Sequence, residues 1–263
     1  MSINHYQAKK FTSNRVDLVN DTLTVEQALQ ININKKSFTI TMRTPGNDDE
    51  LITGLLYSED IYRNKTTPLN IRYQTNSQNV TQANMVINED ELGKGYLNSR
   101  NILSVSSCGI CGKKELDELV NTSPKMDDFM ISKVSLLRMF ERMRQQQTTF
   151  HQSGGSHAAA AFNQNGELLA IMEDIGRHNA VDKVIGALLL NHTFKEAKCM
   201  VVSGRISYEI VTKAFAAKIG VLAAVSAPST LAVDFAKELG ITLLGFCRDE
   251  KATCYAHPQR MKE

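Results

Sequence analysis

The sequence predicts an α/β protein in two parts: a C-terminal domain on a mainly parallel sheet, and a smaller β-rich α+β unit before it. Three observations predict this. The final third alternates apolar strands, Gly- or Ser-bearing turns and amphipathic helices, the pattern of a parallel sheet covered by helices. The first hundred residues carry strand patterns around one clear helix. Between the two parts stands SSCGICGKK, Ser106 to Lys114, whose thiols sit among glycines. The expected boundaries are 1–100 for the first unit, 101–131 for the thiol-bearing loop and linker, and 132–263 for the second domain.

In chain order, TLTVEQALQIN and KKSFTITMRT read as a hairpin joined by Asn32 to Lys36, with Phe38, Ile40 and Met42 on one buried face. Pro45 and Gly46 break the second strand. A helix follows in NDDELITGLLYSED, where Asn47 and Glu50 have the spacing of a capping box. LNIRYQT and NMVIN are further strands, and the polar stretch Asn88 to Arg100 leads toward the thiols. From Ser132 a helix is expected to about Gln147, and then a hairpin in which NQNG turns AAAAF back into ELLAIMEDI. The rest reads IMEDI, helix, CMVV, helix ended by Gly220, VLAAV, helix ended by Gly240, ITLLGF and a last short strand ATCYAH.

Cys108 and Cys111 are a Cys-x-x-Cys unit, which serves as half of a zinc site, as a redox dithiol, or as a nucleophilic thiolate resolved by its neighbour. Lys113 and Lys114 favour the thiolate, as does the start of a helix in LDEL. Structural zinc normally takes four protein ligands, and Cys199, Cys247 and Cys254 supply no second paired half-site. Side chains distant in sequence can still converge, so zinc stays open beside reactive sulfur.

At 263 residues and 42% hydrophobic content the chain can bury a full core. Thirty Lys and Arg against 28 Asp and Glu leave a charge of +2, balanced 11 against 11 in the first hundred residues. Without a basic stripe, nucleic-acid binding is disfavoured. No apolar run approaches a membrane span and MSINHYQAKKF has no apolar signal core, so a cytoplasmic protein is expected. Five cysteines are no disulfide framework and fit a reducing compartment.

In a parallel sheet the turns after the strands share one edge, where ligands bind. That edge would collect Arg177, His178, Ser203, Arg205, Ser226, Ser229, Arg248 and Lys251, several just before helices whose free N–H groups attract anions. A phosphate-bearing small molecule is the expected ligand, with Arg177 and Arg205 as anion contacts. Neither a G-x-G-x-x-G fingerprint nor a Walker loop is present, so ordinary dinucleotide and ATP sites are not expected. His157 resembles the His of zinc deaminases, but position 159 is Ala where their signature has Glu and the Cys pair lies before the His, so deamination is not expected. The bland role for His157 is a hydrogen-bonded histidine in a glycine turn.

The segments MRTPGNDDEL, SSCGICGK, SGGSHAAA, EDIGRHNAVDKVIG, SGRISYEIV, AAVSAPSTLAV and GFCRDEKATCYAHPQR together resemble the FdhD family, sulfurtransferases required for formate dehydrogenase activity. The resemblance runs from about Thr41 to the end; nothing is carried over to the start. It implies that the C-terminal domain is cytidine-deaminase-like without deaminase activity. It implies that a cysteine desulfurase delivers sulfur as a persulfide to Cys108, with Cys111 as second thiol, on a mobile loop. The sulfur then passes to bis(molybdopterin guanine dinucleotide), a bound substrate, before that cofactor enters formate dehydrogenase. The family's cofactor-contact loop maps onto Phe246, Cys247, Arg248, Asp249, Glu250 and Lys251, no permanent metal is implied, and a homodimer is. Cys199, Cys247 and Cys254 are expected to be buried. A cofactor-binding chaperone with a zinc-holding Cys pair and a thiol-disulfide oxidoreductase are the competing readings.

Overall fold

The structure, a computed structural model, describes residues 2–62, 64, 69–77, 79–99, 126, 127 and 129–262. Cys108, Cys111 and the rest of the expected thiol loop lie outside the described residues.

The chain opens with β1 (Ile3–Phe11) and β2 (Val16–Thr24), a two-stranded antiparallel hairpin not among the expected elements. The expected long strand from Thr22 is in fact two, broken at Val25 and Glu26. β3 (Gln27–Ile33) then turns through Asn34 and Lys35, both at positive φ, into β4 (Lys36–Arg43), which is the expected hairpin. With β5 (Arg72–Thr75) and β6 (Thr81–Met85) these form a four-stranded sheet of order β4-β3-β6-β5, in which β3 and β6 run parallel. The expected buried face of β4 holds at Phe38, which packs against the core beyond a register shift at Ile31 and Asn32, and fails at the next two apolar positions. Ile40 and Met42 are exposed, because the register sets Thr41 and Thr39 beside the buried Leu29 and Ile31 of β3. A strand shows the same face as its partner at paired positions, so threonines line the core and the apolar pair faces out.

The helix α1 (Asp48–Ser58) covers that core with Leu51, Ile52 and Leu56, each fully buried. Asn47 precedes it without capping it. At φ 55° and ψ 40° it lies in the left-handed region, and its amide donates to Glu50 Oε1 at 3.3 Å while no backbone N–H is capped by its side chain. The polar stretch after β6 holds a short 3-10 turn, Glu89–Glu91, and α2 (Lys94–Ser99).

Beyond the undescribed segment, β7 (Ile131–Ser132) leads into α3 (Lys133–Gln145), capped by Ser132 Oγ, which accepts from the Ser135 N–H at 3.0 Å. A separate short helix, α4 (Thr148–Ser153), follows where no element was expected. The chain then runs through β8 (His157–Phe162), β9 (Leu168–Asp174), α5 (Arg177–Leu190), β10 (Cys199–Val202), α6 (Tyr208–Ala216), β11 (Val221–Ala224), α7 (Thr230–Glu238), β12 (Thr242–Arg248) and β13 (Lys251–Ala256). A 3-10 turn, Pro258–Arg260, and β14 (Met261–Lys262), parallel to β7, close the chain.

The six-stranded sheet has the order β13-β12-β11-β10-β8-β9. It is mixed and not mainly parallel: only β10 with β11 and β11 with β12 pair in parallel, while β8–β9, β8–β10 and β12–β13 are antiparallel. The hairpins at its two ends cause this, since a tight turn can join only antiparallel strands. Both faces are covered. Ala159, Ala161, Met200, Val202, Leu222 and Ala224 pack toward α5, α6 and α7, and the alternate residues Ala158, Ala160, Val201 and Ala223 pack toward Leu136, Met139, Phe140 and Met143 of α3. Burial on both faces explains the unbroken apolar runs AAAAF, CMVV and VLAAV. Burying each of these α3 side chains contributes roughly 1.5–3 kcal/mol.

α6 does not end at Gly220. It ends through Lys218 at φ 57°, while Gly220 serves a close approach, since a Cβ there would come 2.9 Å from the Phe129 ring. Gly240 does end α7, at φ 73°. α1 and α5 cross closely, with Gly54 and Gly186 at the contact.

Candidate functional site

β9, β10, β11 and β12 all end at one edge of the sheet, because β9 and β10 are both antiparallel to β8 and so run in the same direction. The expected collection of turns therefore does converge, although the sheet is mixed. Gly204 lies between two of them: a Cβ there would come 3.1 Å from His157 Nδ1 and 3.4 Å from Arg177 Cβ. Ile206 bridges to Pro228, and Phe246 N–H donates to Ser226 O at 3.1 Å, which fastens the remaining turns together.

The eight edge residues divide by what they touch. Ser203 Oγ accepts from the Ala158 N–H at 2.9 Å, and Ser229 Oγ accepts from the Ala232 N–H at 3.2 Å as the cap of α7. These two hold the fold. Arg177 is the first residue of α5, and its Nε is buried with no hydrogen-bond partner. A buried unpaired donor costs about 1–3 kcal/mol, so an acceptor supplied by a ligand would be favoured there. Arg205, Arg248 and Lys251 are exposed. The N-cap residues Gly176 of α5 and Ser207 of α6 provide no side-chain cap for the first N–H groups.

Two histidines face this edge. His157, half-buried at the start of β8, has its pKa lowered by burial first and by Arg177 and Arg205 next, with Asp174 opposing. His178 Nε2 lies 3.1 Å from Ser207 Oγ and 3.4 Å from Glu209 Oε2. Burial lowers its pKa, Glu209 opposes, and Arg177 and Lys213 lower it further. Both rings are therefore held neutral near pH 7, and both feel the Arg177 guanidinium.

The segment Phe246 to Lys251 is the tip of the β12–β13 hairpin. Asp249 and Glu250 take φ of 51° and 58°, as a two-residue hairpin turn requires, and Arg248 pairs with Lys251 across it. Phe246 is the unusual residue. Its φ is 53°, a conformation that costs a bulky side chain of order 1–3 kcal/mol, and its ring is 41% exposed. Phe246 lies in the register shift between Gly245 and Arg248, and Gly245 before it serves a close approach, since a Cβ there would sit 2.7 Å from Pro228 Cδ. Cys247 is buried, with its thiol pushed up to about 12 by burial, and Cys199 is likewise buried and pushed up to about 12. Cys254 differs from expectation: it is exposed, because β13 is an edge strand. No group of three or more His, Cys, Asp or Glu fit to hold a metal occurs among the described residues, and no described helix is long and apolar enough to cross a membrane.

Sequence reasoning assigned no role to Asp174, Asn179 or Lys183, which lie buried directly under the Arg177 turn. The available signal was a pair of charges, Asp182 and Lys183, inside the apolar run from Ala180 to Leu190 of this helix.

The arrangement is a mixed α/β fold with a basic, partly aromatic sheet edge. The same fold occurs in the crystal structure of a putative formate dehydrogenase accessory protein from Desulfotalea psychrophila, with a TM-score of 0.76 at 20% identity over the whole of both chains. In sequence, the chain is 41% identical over 253 residues to the "Sulfur carrier protein FdhD" of Mycolicibacterium paratuberculosis, covering 92% of each. It is 40% identical over 248 residues to the protein of the same name from Sulfolobus acidocaldarius, covering 92% of this chain and 91% of that one. The FdhD/NarQ family model matches residues 24–262. The chain belongs to the FdhD/NarQ family.

Proposed function

We propose that this chain is a sulfur carrier and sulfurtransferase serving formate dehydrogenase. The observation that carries the reading is the family match over residues 24–262, joined to about 40% identity with proteins named sulfur carriers. In this reading the Cys108 thiolate attacks the outer sulfur of a cysteine desulfurase persulfide. The S–S bond breaks, the desulfurase leaves as a thiolate, and Cys108 keeps the sulfur as its own persulfide. Release as hydrosulfide follows if the Cys111 thiolate attacks Cys108 Sγ, which leaves a Cys108–Cys111 disulfide for a dithiol to reduce.

The acceptor is bis(molybdopterin guanine dinucleotide), bound as substrate at the sheet edge before it enters formate dehydrogenase. Its pyrophosphates suit the unpaired Arg177 Nε, Arg205 and the open start of α5. Its flat rings suit the exposed Phe246, with Arg248 and Lys251 beside it on the hairpin tip Phe246 to Lys251. The strand order 2-1-3-4-5-6, counted within the domain, supports a cytidine-deaminase-like type for residues 132–263. The division at 1–100, 101–131 and 132–263, a cytoplasmic location and a homodimer belong to the same proposal.

The test is mass spectrometry of the full chain after incubation with a cysteine desulfurase and cysteine, together with complementation of formate dehydrogenase activity in cells. A gain of about 32 mass units on Cys108 is expected, and Cys108→Ala should abolish complementation while binding of guanosine diphosphate survives. Full activity in that variant ends the proposal. Stoichiometric zinc lost with either cysteine would put a zinc-holding cofactor chaperone in its place, and a disulfide without added sulfur would put an oxidoreductase there.

A further inference from the structure

Under the Arg177 turn, a single carboxylate joins the two halves of the molecule. Asp174 ends β9 with no exposed surface. Its Oδ1 accepts from the Gly176 N–H at 2.8 Å and from Asn179 Nδ2 at 2.9 Å, and its Oδ2 accepts from the Thr44 N–H at 3.1 Å. Lys183 Nζ sits 2.8 Å from the same Oδ2 and donates to Thr44 O at 2.9 Å. Thr44 Oγ1 in turn accepts from the Ile175 N–H at 3.0 Å, and Asn179 Nδ2 reaches Met42 O at 2.8 Å. Both N–H groups just before Arg177, those of Ile175 and Gly176, are thus held by Thr44 and Asp174. The turn is filled as well as tied: a Cβ on Gly176 would come 3.0 Å from Asn179 Nδ2 and 3.4 Å from Asp174 Oδ1.

A free carboxylate this near an anion site would repel its ligand. Lys183 cancels that charge in place, so Asp174 can orient the backbone without opposing a phosphate. Thr44 lies in the segment between β4 and α1, so the geometry of a site on the C-terminal sheet is set partly by the N-terminal part of the chain.

We propose that Thr44, Asp174 and Lys183 are positioning residues for anion binding at Arg177, holding the Ile175–Gly176 turn so that the guanidinium and the first N–H groups of α5 meet a pyrophosphate. This deepens the proposed function and rests on its reading of Arg177 and Arg205 as anion contacts.

The probes are guanosine diphosphate and inorganic pyrophosphate, titrated by calorimetry into the full chain. Asp174→Asn leaves Lys183 buried without a counter-charge and can unfold the protein, so the deciding variant is Thr44→Val, which keeps the shape and removes one acceptor. About tenfold weaker binding of both probes is expected in Thr44→Val, with a melting temperature lowered by no more than a few degrees for the Ile175 N–H left unpaired, and recovery of both in Thr44→Ser, which restores the oxygen. Arg177→Ala is the control for the site itself. If Arg177→Ala loses binding and Thr44→Val binds like the parent, the positioning role is wrong and the anion reading stands. If Thr44→Ser fails to recover binding, the role assigned to the hydroxyl is equally wrong. If Arg177→Ala binds both probes like the parent, or the parent binds neither, the anion reading falls and the positioning role with it.

Discussion

Lys213 Nζ lies 3.0 and 3.1 Å from the two carboxylate oxygens of Asp182, and both side chains are withdrawn from water. The same ammonium reaches Glu59 Oε1 at 2.7 Å and Ser58 Oγ at 3.0 Å, so α6, α5 and the end of α1 meet at one charge. Burial pushes the Asp182 carboxyl up while Lys213 opposes it, and Lys213 holds Glu59 below the usual carboxylate range.

Lys213→Met is expected to destabilise the fold by about 3–5 kcal/mol, since it strands a buried carboxylate. Adding Asp182→Asn should return much of that loss. Urea denaturation of the parent, single and double variants checks both, and an additive double variant would contradict the pairing.

The histidines give a pH signature. His157 has a folded pKa below its ordinary value of about 6.5, chiefly through burial, so the unfolded chain takes up its proton first. Its contribution to stability is therefore complete above about pH 6.5 and is lost as the pH falls. Melting temperatures from pH 7.5 to 5 should fall less steeply in His157→Gln than in the parent. Parallel curves would refute the assignment.

Phe246 separates strain from recognition. Phe246→Gly removes a bulky side chain from φ 53°, and the fold should gain up to about 1 kcal/mol or stay even. Loss of the exposed ring should weaken guanosine diphosphate binding by about 1–3 kcal/mol and leave pyrophosphate binding unchanged. Paired calorimetry and thermal melts read both. Equal loss for the two ligands would show that the ring does not stack on a base.

Much of this fold is legible in the sequence where one physical signal dominates. The helices from Lys133 and Thr230 start at serines that do cap them, and NQNG does turn β8 into β9. Strand direction was not legible: an apolar run such as AAAAF shows burial on both faces but not which way the strand runs. The alternation in β4 predicts Phe38 correctly and Ile40 and Met42 wrongly, because the register fixed by β3 and its shift at Ile31 and Asn32 turn Thr39 and Thr41 inward. At the site, Arg177 and Arg205 could be placed on one edge from the repeating pattern alone. The Asp174 and Lys183 pair could not, since its partner groups are backbone atoms of Thr44, 130 positions earlier in the chain from Asp174.

The crossing of α1 over α5 has a consequence for dissection of the protein. A Cβ on Gly54 would fall 1.8 Å from Asp182 O, and one on Gly186 would fall 1.8 Å from Glu50 O, so the two backbones touch with nothing between them. Each helix is the lid of the other. A fragment starting at Ser132 would bare the α5 stripe to solvent, and one stopping at Ser99 would bare the back of α1. Gene fusions, split reporters and protease-cleaved halves of this molecule should clump when separated and stay soluble only when co-produced.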